Sequence, residues 1–119
     1  MTAQELIAKA LAKRERWVDL GDGKRICMRR PPELELGDLI ESFRERDKSG
    51  VEKAAALAVA WEGFMLADAI GEGDEPVSFD ADLWRVLMAD NTEWATKAAN
   101  AVLEMLAEHS QRREDAAKN

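Results

Sequence analysis

The segment from Arg16 to Pro32, RWVDLGDGKRICMRRPP, constrains the fold more than any other. Val18 and Leu20 alternate with Trp17 and Asp19. Beyond Gly21-Asp22-Gly23, Ile26 and Met28 alternate with Arg25, Cys27 and Arg29. Period-two alternation on both sides of a glycine-rich turn is the signature of a β-hairpin. A three-residue loop, Gly21-Asp22-Gly23, sets Val18 opposite Ile26 and Asp19 opposite Arg25. That register gathers apolar side chains on one face and leaves a salt-bridged Asp19–Arg25 pair on the other, whereas a two-residue Asp22-Gly23 turn mixes the faces. Pro31 and Pro32 cannot extend the ladder, so they end the second strand. An isolated hairpin is marginal in water, so its apolar face has to pack on helices.

The rest of the chain reads as those helices. Thr2 and Glu5 have capping-box spacing, and Leu6, Ile7, Ala10 and Leu11 follow as one narrow apolar stripe, predicting a helix over 3–14. Leu36, Leu39, Ile40 and Phe43 predict a second helix over 36–46. Ser49 and Glu52 repeat the capping spacing ahead of the most apolar stretch, which includes Val51, Ala54, Leu57, Trp61 and Phe64 and is expected to form a central helix over 50–70. GEGDEP, residues 71–76, is a breaker. A fourth helix starts near Asp80, its expected N-cap, with Leu83, Trp84, Leu87 and Met88 inward. A fifth covers 92–111 with Trp94, Ala98, Val102, Met105 and Leu106 on one face. The closing RREDAAKN has no apolar stripe, so 112–119 is expected to be a frayed polar tail. The expected fold is therefore mainly α: one domain over 1–111, a small bundle of about five helices with a single N-terminal hairpin at about 16–30.

Bulk properties narrow the class. A chain of 119 residues that is 46% hydrophobic and 34% charged is globular rather than disordered. No apolar run reaches the length of a membrane span, and the N-terminus has an amphipathic layout rather than that of a signal peptide. The single cysteine, Cys27, excludes an internal disulfide, and the simplest location is the cytoplasm. The net charge of −7 is unevenly placed: residues 9–30 hold eight Lys/Arg against three acids, and residues 31–119 hold nine against twenty. A positive front on a negative body disfavours general nucleic-acid binding by the body. It suits either an ordinary solvated surface or head-to-tail self-association and docking on a charged partner.

Catalytic and metal chemistry lack their residues. His109 is the only histidine and lies late in the last helix, the position of a surface or helix-dipole partner. Cys27 alternates with arginines that lower a thiol pKa, but no local base accompanies it. One His and one Cys make no zinc site, the carboxylates of DEPVSFDAD lack the EF-hand pattern, and the glycine turns lack a following Lys-Ser/Thr. The expectation is a protein that is not an enzyme and takes no cofactor or metal. Of the four tryptophans, Trp61, Trp84 and Trp94 fall on apolar faces and are expected in the core. Trp17 shares the hairpin's other face with Asp19, Arg25 and Cys27. It is either an interface anchor or covered by another helix.

An N-terminal helix, a strand-turn-strand of the type VDLGDGKRICMRRP, and a mostly helical body with LWRVLMADNTEWATKAANAVLEM resemble the tail assembly chaperones of long-tailed bacteriophages. The resemblance implies a non-catalytic protein that self-associates and coats the tape measure protein until tail tube subunits polymerise around it. Its partners are then other copies of itself and the tape measure protein, with the tail tube protein as a further candidate and neither nucleic acid nor membrane among them. Its place is the bacterial host cytoplasm, outside the mature virion. Proteins of this family commonly have a longer form made by ribosomal frameshifting. The closing Ala117-Lys118-Asn119 can be written GCA AAA AAC, which contains the slippery A AAA AAC. In this reading Trp17 is the hairpin's anchor, Asp19 lies beside it, and Arg25 and Arg29 are steering charges. The competing reading is an acidic inhibitor whose carboxylates stand in for phosphates in a partner's nucleic-acid channel. A third is an RNA-binding regulator in which Trp17 stacks on bases.

Overall fold

The hairpin forms in the register that the alternation predicts. The computed structural model describes residues 1–44 and 49–118, without the Ser49 side chain. In it β1 (Glu15–Gly21) and β2 (Lys24–Arg29) pair antiparallel, with Val18 opposite Ile26 and Asp19 opposite Arg25. The turn is one residue shorter than expected. Asp22 and Gly23 alone connect the strands, at φ 53° and 76°, and Gly21 pairs with Lys24. The face-mixing that such a turn entails is relieved by a β-bulge between Asp19 and Gly21, and Leu20 ends up buried. Asp19 and Arg25 do not form the expected salt bridge. Asp19 accepts the Gly21 N–H at 2.8 Å, and Arg25 Nε donates to Glu62 Oε2 at 2.6 Å.

Glu62 belongs to the element that overturns the expected fold class. The chain is not a mainly α bundle with a single hairpin but an α+β fold, with six α-helices among the described residues and a three-stranded antiparallel sheet of order β1-β2-β3. The expected central helix over 50–70 is split into α3 (Ser49–Ala55), β3 (Ala58–Glu62) and α4 (Leu66–Ile70). The alanines of AAALAVAWEG favour a helix, but the free edge of β2 competes for the same backbone, and tertiary pairing overrides local propensity. Trp61 pairs with Ile26 and Ala60 with Cys27, and the Arg29 N–H donates to Leu57 O at 2.8 Å as the chain leaves α3. Gly63, at φ 84°, ends the strand where its Cα passes directly over the Gly23 carbonyl.

The remaining helices follow their sequence signals more closely. α1 (Ala3–Ala12) is capped by Thr2, whose Oγ1 accepts the Glu5 N–H at 3.1 Å. α2 (Leu36–Arg44) follows a short 3-10 turn, Glu33–Glu35, and the rest of the expected second helix lies outside the described residues. The expected Ser49 cap also lies outside them. α5 (Ala81–Ala89) starts where Asp80 Oδ1 accepts the Leu83 N–H at 2.9 Å. α6 (Thr92–Lys118) outruns its apolar stripe, continuing through the segment expected to be a tail.

Helices α5 and α6 cover the inner face of the sheet. Ile26 and Met28, both fully buried, join Leu20, Trp84, Met88, Ala98, Ala101, Val102 and Met105 in one core. Burying each of those two β2 side chains contributes about 1.5–3 kcal/mol. Trp61 stacks on Phe64 with centroids 4.2 Å apart, and Phe64 meets Trp84 and Trp94 edge-on. The indole N–H groups of Trp84 and Trp61 donate to Ala55 O and Val77 O, each at 2.7 Å. α1 stands apart: none of its residues is buried, and Leu6 and Ile7 are 54% and 59% exposed.

Candidate functional site

The outer face of the hairpin holds all four candidate residues. Trp17 is 41% exposed, and the Arg25 guanidinium carbon lies 4.3 Å from its ring centroid, a cation–π contact. Together with Asp19, Gly23 and Lys24 they line a shallow cleft of about 420 Å³. Arg29 lies farther along the strand, where its Nη2 meets Glu15 Oε1 at 3.1 Å. The arginines expected to steer a partner thus already hold intramolecular carboxylates. The Arg25 hydrogen bond keeps the Glu62 carboxyl below its ordinary pKa. Cys27 is buried between the two arginines. Burial pushes its thiol pKa up and Glu15 adds to this, while Arg29 and Arg25 pull only partly the other way.

The open end of the hairpin carries a second cluster that the sequence reading missed. The Arg30 N–H donates to Arg14 O at 2.8 Å, which closes the strand ends together. Arg30 is buried, and its guanidinium donates to Pro31 O at 3.2 Å and to His109 Nδ1 at 3.3 Å. Arginine has no acceptor, so Nδ1 must offer its lone pair. The proton of neutral His109 then sits on Nε2 and points at Glu33 Oε1, 2.7 Å away. Glu33 also meets Arg113 Nη1 at 3.3 Å. Hydrogen bonding from His109, and then the Arg113 charge, hold the Glu33 carboxyl below its ordinary range. Burial, followed by the neighbouring Arg14 and Arg112 charges, lowers the Arg30 pKa. The pairs Arg29-Arg30 and Arg112-Arg113 were visible signals, but only the fold brings them to one place.

Two apolar features complete the surface. The exposed stripe of α1 is one. The other is a groove of about 370 Å³ between α3, α5 and the start of α6, lined by Val51, Met88, Ala89 and Ala95 with Glu52 at its side. Among the described residues no group of three or more His, Cys, Asp or Glu is placed to hold a metal ion, and no helix is long and apolar enough to cross a membrane. Comparison with protein-family models, with curated proteins and with solved structures finds no match to this chain.

Proposed function

We propose that the protein is a non-catalytic tail assembly chaperone of a long-tailed phage or prophage, acting in the bacterial host cytoplasm. In this reading it self-associates and coats the tape measure protein. The observation that carries the proposal is α1, an amphipathic helix in which only Leu11 is half-buried and which leaves Leu6 and Ile7 in water. Such a face suits a client that offers many weak apolar contacts along an extended helix, and repetition of the chaperone along it multiplies them. The cleft at Trp17 offers a second, more polar contact.

The test is co-expression with the tape measure protein of the same genome, read by co-purification and client solubility. Leu6→Asp with Ile7→Asp is expected to abolish capture. Because Leu6 and Ile7 are both more than half exposed, the melting temperature should stay within about 2 °C. Trp17→Ala with Arg25→Glu tests the hairpin in the same assay, and unchanged capture and self-association would remove it from the function. Absence of any complex with the wild-type protein, together with salt-sensitive displacement of DNA from a basic partner, would favour the acidic-inhibitor reading instead.

A further inference from the structure

The pocket at the open end of the hairpin holds more positive charge than its own chain answers. Arg14, Arg30 and Arg113 line a cavity of about 320 Å³ with His109 and Glu33, and Arg112 is close enough to depress Arg30. Three guanidinium groups share the pocket with one carboxylate. Arg30 is 9% exposed, yet both its acceptors are neutral. Arg14 and Arg112 make no ion pair among the described residues. Leu34, beside the pocket, is 99% exposed.

The other end of the hairpin presents the opposite pattern. Lys24 Nζ is tied to Asp68 Oδ1 of α4 at 3.1 Å, which anchors α4 at the turn end of the strands. The loop that leaves α4 carries Glu72, Asp74 and Glu75, all exposed and none in an ion pair among the described residues. The loop has a defined shape: the Leu66 N–H donates to Glu75 O and the Ala67 N–H to Gly73 O, both at 3.0 Å. Ile70 precedes it, 66% exposed. Each end therefore offers a cluster of unanswered charge beside one exposed aliphatic side chain, with the charges opposite in sign. Strands of this length hold the two ends about 20 Å apart, so the loop cannot fold back into its own pocket.

We propose that the Arg14–Arg30–Arg113 pocket is a binding site for the carboxylates of an acidic peptide, and that its occupant is the 71–75 loop of a second copy of this chain. Leu34 then meets the partner's Ile70. This contact is heterologous, so each copy keeps one free end and the assembly grows as an open chain or closes into a ring. The inference rests on the self-association half of the proposed function and names its surface.

The experiment is sedimentation velocity at low and high salt on wild type and two charge reversals. One variant is Arg14→Glu with Arg113→Glu, which spares the buried Arg30. The other is Glu72→Arg with Asp74→Arg. Wild type is expected to self-associate more weakly as salt rises, and each variant alone should weaken association by about tenfold or more. An equimolar mixture should restore it, because the reversed pocket of one accepts the reversed loop of the other. Circular dichroism of both variants confirms that they fold. A monomeric wild type overturns the inference, as do variants that associate normally or a mixture that fails to rescue. Chaperone function is judged separately by tape measure capture, so that reading can stand when this one falls. Tight binding of single-stranded RNA that the pocket reversal abolishes would also overturn it, by making a phosphate backbone the occupant.

Discussion

Replacing Trp84 by Phe tests whether one hydrogen bond holds the helical layer to the sheet. Trp84 is fully buried, and its indole N–H reaches the carbonyl of Ala55 at 2.7 Å. Ala55 is the last residue of α3 and is itself fully buried, so its carbonyl has no water to turn to. Phenylalanine leaves that acceptor orphaned, at about 1–3 kcal/mol. It also removes about two methylenes' worth of buried apolar volume, adding about 1.5 kcal/mol. The expected loss is about 3 kcal/mol. Trp61→Phe is the control. It breaks a bond of the same length to Val77 O, but Val77 is only half-buried and water can replace the donor. The same loss of apolar volume applies at the buried Trp61, so about 2 kcal/mol is expected there. Urea unfolding followed by circular dichroism separates the two, because a difference of ~1 kcal/mol displaces the midpoint by roughly 0.3–1 M. Equal midpoints for the two variants would refute the claim that the Ala55 carbonyl depends on Trp84.

Three further outcomes follow from individual contacts. Gly63→Ala puts a Cβ 2.2 Å from the Gly23 carbonyl oxygen at a backbone φ of 84°, so it should cost about 2 kcal/mol or more and lower the melting temperature, whereas Gly37→Ala, with open space around it, should not. The Glu33 carboxyl is held below its ordinary pKa, so its contribution to stability is complete above the unfolded carboxylate value of about 4.3 and is lost as pH falls through the lowered folded value. Melting temperatures of wild type and Glu33→Gln should therefore converge on acidification, and a constant gap would contradict the pairing. Native Cys27 should react with a thiol reagent far more slowly than the unfolded chain, since burial both shields the thiol and raises its pKa. Labelling at the rate of a free thiol would show that the sheet's outer face opens.

What the sequence made legible was whatever depends on nearest neighbours. Trp61 is buried as its apolar character suggests, but on a strand rather than a helix, whereas the hairpin register, the Asp80 cap and the burial of Trp84 follow from alternation, capping preference and helical period. The third strand does not, because a strand's partner is a tertiary fact and the alanines around Val59 favour a helix. One signal was nevertheless present. Ile26, Cys27 and Met28 are three consecutive apolar residues, and all three are buried. A strand that is apolar on both faces reads as a central strand, and a central strand needs two neighbours. The pocket was less legible still, because its residues come from the end of β2, the approach to β1 and the late turns of α6.

The charge asymmetry changes meaning once the pairs are known. Of the eight basic residues in 9–30, Arg16 is answered by Glu104 and Glu108, Lys24 by Asp68, Arg25 by Glu62 and Arg29 by Glu15. A cation 4 Å or less from its carboxylate is a small dipole to anything beyond the Debye length, about 8 Å at physiological salt. The hairpin's own arginines are therefore poor steering groups, however basic the segment looks as text. The cations left without an ion pair among the described residues, Lys9, Lys13, Arg14 and Arg30, lie on α1, just after it, or at the strand end bonded to Arg14. Unpaired positive charge and exposed aliphatic side chains thus occur together at this end, with Leu34 beside the pocket itself. A partner that recognises this end has to be acidic and apolar together, a more selective demand than charge alone, and the segment from Ile70 to Glu75 meets it.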